Sequence, residues 1–273
     1  MRNRKLFKAV LFSILAALNF AVMYINIKLP TGGFIHLGNL ICVLTALLIG
    51  GVYGGLVGSL GMGLYDIIYY PTSFARTLIL KFLMGLIAGY LFRYLRHNGL
   101  SKKGTSGIFI TLSLIFQLIF AVTLTMYVRP EWFNDKAVHV IVPISIAIFS
   151  LIFDVALFFL HGKSVVYDKV LIAVSVATIF NIMGEFVVRV CQSLIRGEGF
   201  SPALIQAIVK VPDATFTGVL TICFSTLIFI PVQKALSGKF ADIIGPSIDD
   251  ILINGKSRLE NKELIENIEK EEE

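Results

Sequence analysis

Charge is scarce in this chain. Only 15% of its 273 residues are Asp, Glu, Lys or Arg, 56% are hydrophobic, and the mean hydropathy is +0.82. A soluble domain of this length has too small an interior to hide that much apolar side chain. Several apolar runs also reach the ~20 residues that cross a bilayer core. The shortage of charge therefore excludes a soluble fold and leaves an all-α polytopic membrane protein.

Cysteine is equally sparse. Cys42, Cys191 and Cys223 are far apart, each within an apolar run, which argues against a disulfide framework or a thiolate metal cluster and for apolar packing. Histidine occurs four times, with no His-Glu-x-x-His pair, and no Gly-x-Ser-x-Gly elbow is present, so no enzyme is expected. The glycine run Gly50 to Gly58 lacks the Gly-Lys-Ser/Thr ending with which a phosphate-binding loop reaches its nucleotide. ATP chemistry by that route is excluded, and no cofactor is expected. The net charge of +6 does not point to nucleic acid, because the basic residues flank apolar segments and no nucleic-acid motif accompanies them.

Hydropathy and turn residues place eight helices at about 6–28, 37–51, 52–70, 74–95, 107–128, 138–160, 170–194 and 204–234. The first apolar run, Leu6 to Leu29, is longer than a signal-peptide core of ~7–15 residues and has no small-x-small cleavage site after it, so it is read as a span. With a cytoplasmic N-terminus, twelve Lys and Arg fall on the inner side. Four (Arg76, Arg129, Lys136 and Arg196) fall in the outer loops. That bias predicts a multi-pass cell-membrane protein with both termini cytoplasmic. Residues 1–239 form the expected bundle and 240–273 a charged cytoplasmic tail. From Lys256 to Glu273 the tail carries four basic and seven acidic residues, a solvated composition.

Small residues recur four apart at Gly50/Gly54, Gly51/Gly55, Gly54/Gly58, Gly85/Gly89 and Ala17/Ala21. Such pairs share one helix face and admit a close neighbour; for the glycines, packing inside the bundle is the expected use.

Three stretches then carry a family likeness: Phe34-Ile35-His36-Leu37-Gly38-Asn39; Ala46 to Gly58, continuing to Gly61-Met62-Gly63-Leu64-Tyr65-Asp66; and Lys81 to Gly89. In this order and spacing the chain resembles the substrate-binding S components of energy-coupling factor (ECF) vitamin transporters, in the riboflavin, pyridoxine and hydroxymethylpyrimidine branch. The likeness covers about residues 6–95 and, more weakly, 170–236. It implies a subunit that captures a vitamin or vitamin precursor at the outer side and joins a transmembrane coupling subunit and two ATPase subunits. It also implies that Ala17 and Ala21, matching an Ala-x-x-x-Ala pattern on the first helix, form the docking face. Such subunits usually have six helices, so 107–160 is read as an inserted hairpin.

Ionisable groups at membrane depth are costly and face a cavity or a partner. At ~1.5 Å per residue, His36, Asn39, Asp66, Lys81, Asn181, Glu185, Arg189 and Asp213, with Thr215, all fall in the outer half of the bundle. They are the candidate substrate-binding residues, under a loop from Pro30 to Ile35 whose glycines would let it move. Structural ion pairing is the alternative, since Glu185 and Arg189 stand i,i+4. Tyr65, Tyr69, Tyr70 and Phe216 are placed either to stack on a planar ring or to form an interfacial belt. Asn19 and Gln117 are expected to bond between helices, and Asp154 to sit near an inner helix end within reach of Lys163. The rival function is a self-contained secondary transporter using Asp66, Lys81 or Glu185 for ion coupling.

Overall fold

A computed structural model describes residues 4–28, 33–98, 102–127, 143–144, 147–148, 150–155, 158–159 and 165–244. Eight α-helices lie among them: α1 (Arg4–Val22), α2 (Gly38–Leu48), α3 (Gly51–Tyr69), α4 (Phe74–His97), α5 (Lys102–Tyr127), α6 (Val165–Ile195), α7 (Phe200–Val209) and α8 (Val211–Ile244). Four helical stretches, Pro71–His97, Gly104–Leu124, Val165–Ile195 and Phe200–Leu236, are long and apolar enough to cross a membrane. The chain is an all-α polytopic membrane bundle.

The eight helices are not the eight read from hydropathy. Within 138–160 the described residues, 143–144, 147–148, 150–155 and 158–159, are helical. The expected last helix, 204–234, is two helices that meet at Lys210. Pro212 accounts for the break: it has no N–H to donate back to Ile208, and its ring crowds that carbonyl. At 11 residues, α2 extends only ~16 Å, about half a bilayer core.

The first helix stops at Val22 rather than 28. Residues Asn26–Lys28 (β1) and Phe34–His36 (β2) form a short antiparallel pair in which Asn26 faces His36 and Lys28 faces Phe34. The β-branched Ile25 and Ile27 favour extension. Asn26 Nδ2 donates to the Met23 carbonyl at 2.9 Å, closing the turn below the strand. Of the loop expected to act as a lid, 30–35, residues 30–32 lie outside the described residues, as do 245–273 of the charged tail.

Glycine sets how tightly α2, α3 and α4 pack. A Cβ on Gly85 would fall on the backbone of Gly55, and one on Gly89 would fall on that of Gly51. The paired glycines thus lie where α3 and α4 touch main chain to main chain. Between α2 and α3, Gly50 turns the chain at φ +130°, a conformation that L side chains rarely adopt. The apolar core then runs from Val43 and Met84 through Phe116, Phe153, Phe216 and Phe229, all fully buried. Helix α5 divides cleanly: Phe109, Leu112, Phe116 and Phe120 are buried, while Ile110, Leu114 and Leu118 are exposed at four-residue spacing. An apolar exposed stripe suits a lipid-facing side.

Candidate functional site

At one end of the bundle β2, the N-terminus of α2, the C-terminus of α3, and parts of α4, α6 and α8 surround a cavity of about 170 Å³. All eight residues singled out in the sequence line it: His36, Asn39, Asp66, Lys81, Asn181, Glu185, Arg189 and Asp213.

Its centre is a charged chain linking α4 to α6. Lys81 Nζ donates to Asn181 Oδ1 at 2.8 Å and to Glu185 Oε1 at 3.0 Å. Arg189 Nη2 donates to the other carboxylate oxygen of Glu185 at 3.3 Å. The i,i+4 ion pair that the sequence offered as an alternative therefore exists, but it is part of the cavity wall and is shared with Lys81. Helix spacing explains the arrangement: Asn181, Glu185 and Arg189 succeed one another every fourth residue and form one stripe on α6.

A second acidic residue is held from α4. Thr77 Oγ1 donates to Asp66 Oδ2 in a short hydrogen bond that closes α3 onto α4. Arg76, one residue earlier, donates to Ser73 Oγ at 2.9 Å and to Gln192 Oε1 at 3.2 Å. On the α8 side, Lys210 Nζ lies 3.8 Å from Asp213 Oδ2. Gly33 passes so close that a Cβ there would collide with the Asp213 carboxylate.

His36 sits on β2 at the cavity edge, and its Nδ1 accepts from the Gly38 N–H at 3.2 Å. Desolvation, reinforced by the Lys81 ammonium, holds its pKa at about 3. The imidazole is thus neutral at physiological pH, and with Nδ1 accepting, its proton rests on Nε2. Two buried polar atoms of the wall, Asn39 Oδ1 and Arg189 Nε, have no hydrogen-bond partner among the described residues. Buried polar atoms are rarely left unmatched, and two in one cavity leave it with unused hydrogen-bonding capacity.

The aromatic candidates separate. Tyr70 lines the cavity and stacks on Phe34, ring centroids 5.6 Å apart at 26°. Tyr65 and Tyr69 back it, joined to Phe20 and Tyr24 through edge contacts. Phe216 belongs to the core and not to the cavity. Thr215 returns its hydroxyl to the Val211 carbonyl at 2.8 Å and does not line the site.

Arg76, Thr77, Phe34 and Lys210 line the cavity without having been singled out as candidates. Arg76 was placed in an outer loop, whereas it lies in the first turn of α4. The i,i+4 relation of Thr77 to Lys81 was the available signal.

Elsewhere, Asn19 Nδ2 bonds the Val57 carbonyl at 3.0 Å, between helices as expected. Asp154 accepts from Gln117 at 2.7 Å and Ser113 at 3.1 Å. From the helical stretch 150–155 it thus accepts from two side chains of α5, while Lys163, its expected partner, lies outside the described residues. Ala17 and Ala21 are both exposed on α1, so neither packs inside the chain. No group of His, Cys, Asp and Glu that could hold a metal occurs among the described residues.

With this geometry in place, three comparisons bear on identity. A 90-residue stretch is 31% identical to a protein of Pyrococcus woesei described as "Uncharacterized protein in gap 3'region", covering 33% of this chain. The chain spans about 61% of that relative's length. No solved structure matches the chain. The family described as ECF-type riboflavin transporter, S component, matches residues 3–164. That is more than half of the chain, and it includes the cavity residues from β2 to α4, while those on α6 and α8 follow it. The chain belongs to the ECF-type riboflavin transporter S component family.

Proposed function

We propose that this chain is the substrate-capturing subunit of an ATP-driven vitamin importer, and that the cavity between α2, α3, α4, α6 and α8 holds the vitamin. One observation supports this most: eight polar residues from six elements converge on one cavity whose wall keeps two buried polar atoms unmatched among the described residues. Apolar walls with a few fixed polar groups are what a small-ligand site requires. Phe34 and Tyr70 offer a ring surface to a planar heteroaromatic ligand. Asn39, Asn181 and the neutral His36 offer directional hydrogen bonds, and the Lys81–Glu185–Arg189 chain fixes the frame.

In this reading the cavity opens outward and both termini are cytoplasmic. Residues 1–239 form the membrane unit, and 107–160 is a hairpin added to the family's usual six helices. The exposed Ala17 and Ala21 face permits a close helix partner, the transmembrane coupling subunit, which brings two ATPase subunits. Riboflavin is the first ligand to try. Purifying the chain from its host and identifying bound small molecules by mass spectrometry tests the proposal. A stoichiometric heteroaromatic vitamin or precursor supports it. Preparations that carry none, and that bind none of the three vitamins of this branch when these are added, contradict it.

A further inference from the structure

Beside the first cavity lies a second, of about 350 Å³, enclosed by the start of α4, the end of α6, and α7. Four cationic side chains line it, Arg76, Arg189, Arg196 and Lys210, and no acidic residue does. Arg76, Arg189 and Lys210 also line the first cavity, so the two share a wall. The acids that meet these cations stand on the first cavity's side: Glu185 receives Arg189, and Asp213 is 3.8 Å from Lys210. Gln192, Ser193 and Gln206 complete the second cavity. Gln192 holds Arg76, and Gln206 spans from Ser193 to Glu198.

We infer that this second cavity is an anion subsite that takes a phosphate group. Three guanidinium groups and an ammonium offer many donors in one concavity. A carboxylate has two oxygens and is satisfied by one arginine fork. A phosphate monoester presents three oxygens and close to two negative charges, which matches several cations at once. Like charges brought together this closely repel one another, and a bound dianion relieves that repulsion. Because the wall is shared, a ligand with its ring in the first cavity can extend a phosphate into the second; this extension rests on the vitamin-binding reading above. A phospholipid headgroup also presents an anionic phosphate, as a diester with two free oxygens and one charge, and is the other source.

The test uses the full chain in neutral detergent at fixed ionic strength. Thermal unfolding is followed with inorganic phosphate, against chloride as control, for the native sequence and for Arg196→Gln, which alters only the second cavity. The subsite predicts a saturable rise in midpoint with phosphate that is lost in the variant. Calorimetry with riboflavin and riboflavin 5′-phosphate then compares affinities; the phosphate ester should bind about tenfold or more tightly than riboflavin, and the variant should remove that ratio. Phosphatidylglycerol that abolishes the phosphate effect assigns the site to a lipid headgroup, while no competition assigns it to a soluble phosphate. A phosphate effect without any flavin binding supports the subsite and sinks the vitamin reading for flavins. Equal midpoints for native and variant chains at every phosphate concentration overturn the subsite.

Discussion

Lys81 and Glu185, separated by 104 residues, meet at 3.0 Å across α4 and α6 inside the bundle. Neither charge would be tolerated there alone, because a desolvated ion without a counter-charge costs several kcal/mol. The pair is therefore both a tie between two helices and the frame of the cavity.

That coupling is measurable. Lys81→Met and Glu185→Gln should each destabilise the chain, by about 3–5 kcal/mol where the remaining charge is left unmatched. Arg189 still meets Glu185 when Lys81 is removed, so Lys81→Met should cost less than that upper range. The double variant should cost clearly less than the sum of the singles in denaturant unfolding. Strict additivity would mean that the two residues do not interact in the folded chain.

His36 makes stability depend on pH. Its folded pKa is about 3, against 6.5 for an ordinary histidine. Below pH 6.5 the unfolded chain therefore takes up a proton that the folded chain refuses, and stability falls as pH drops from 6.5 towards 3. Between pH 7 and pH 5 the loss from this one residue amounts to about 2 kcal/mol at most. His36→Asn should flatten the acid limb of a thermal-unfolding profile. An unchanged limb would show that the imidazole is already protonated in the folded chain.

Docking should depend on the exposed alanines. Ala17→Trp and Ala21→Trp add bulk at two exposed positions of α1, so folding and ligand binding should persist. Co-purification with the coupling subunit and ATP-dependent uptake should both collapse. Assembly at native levels with either tryptophan would remove this face from the interface, and uptake that instead follows an ion gradient would favour the secondary-transporter alternative.

Orientation can be read by thiol labelling in a background lacking the three native cysteines. Ile195, 85% exposed at the end of the long α6, should as Ile195→Cys react with an impermeant reagent from outside. Asn98→Cys, just beyond α4, should react only after the membrane is opened. The opposite pattern would invert the bundle and turn the cavity to the cytoplasm.

How much of this was legible in the sequence follows from how local each signal was. Lys81, Asn181 and Glu185 stood out because ionisable and amide groups in apolar runs are costly and few. Their common cavity required only helix lengths and a topology. Arg76 was missed because it was counted among the outer-loop cations, although it falls within the expected helix 74–95 and α4 begins at Phe74. The β1–β2 pair was missed because two three-residue strands leave no periodicity to detect. The division at Lys210 was missed because apolar composition continues across Pro212, so hydropathy does not register a backbone that changes direction. Phe216 was offered either to a planar ring or to an interfacial belt on side-chain type alone, and it packs in the core instead.

The most direct test is calorimetric titration of riboflavin into the purified chain and into its Lys81→Met variant, with thermal unfolding of each as the control for folding. The account predicts saturation at one ligand per native chain, and a variant that remains folded but binds about tenfold to a hundredfold more weakly. Equal affinities in two folded proteins would show that the ligand does not occupy the cavity framed by Lys81 and Glu185.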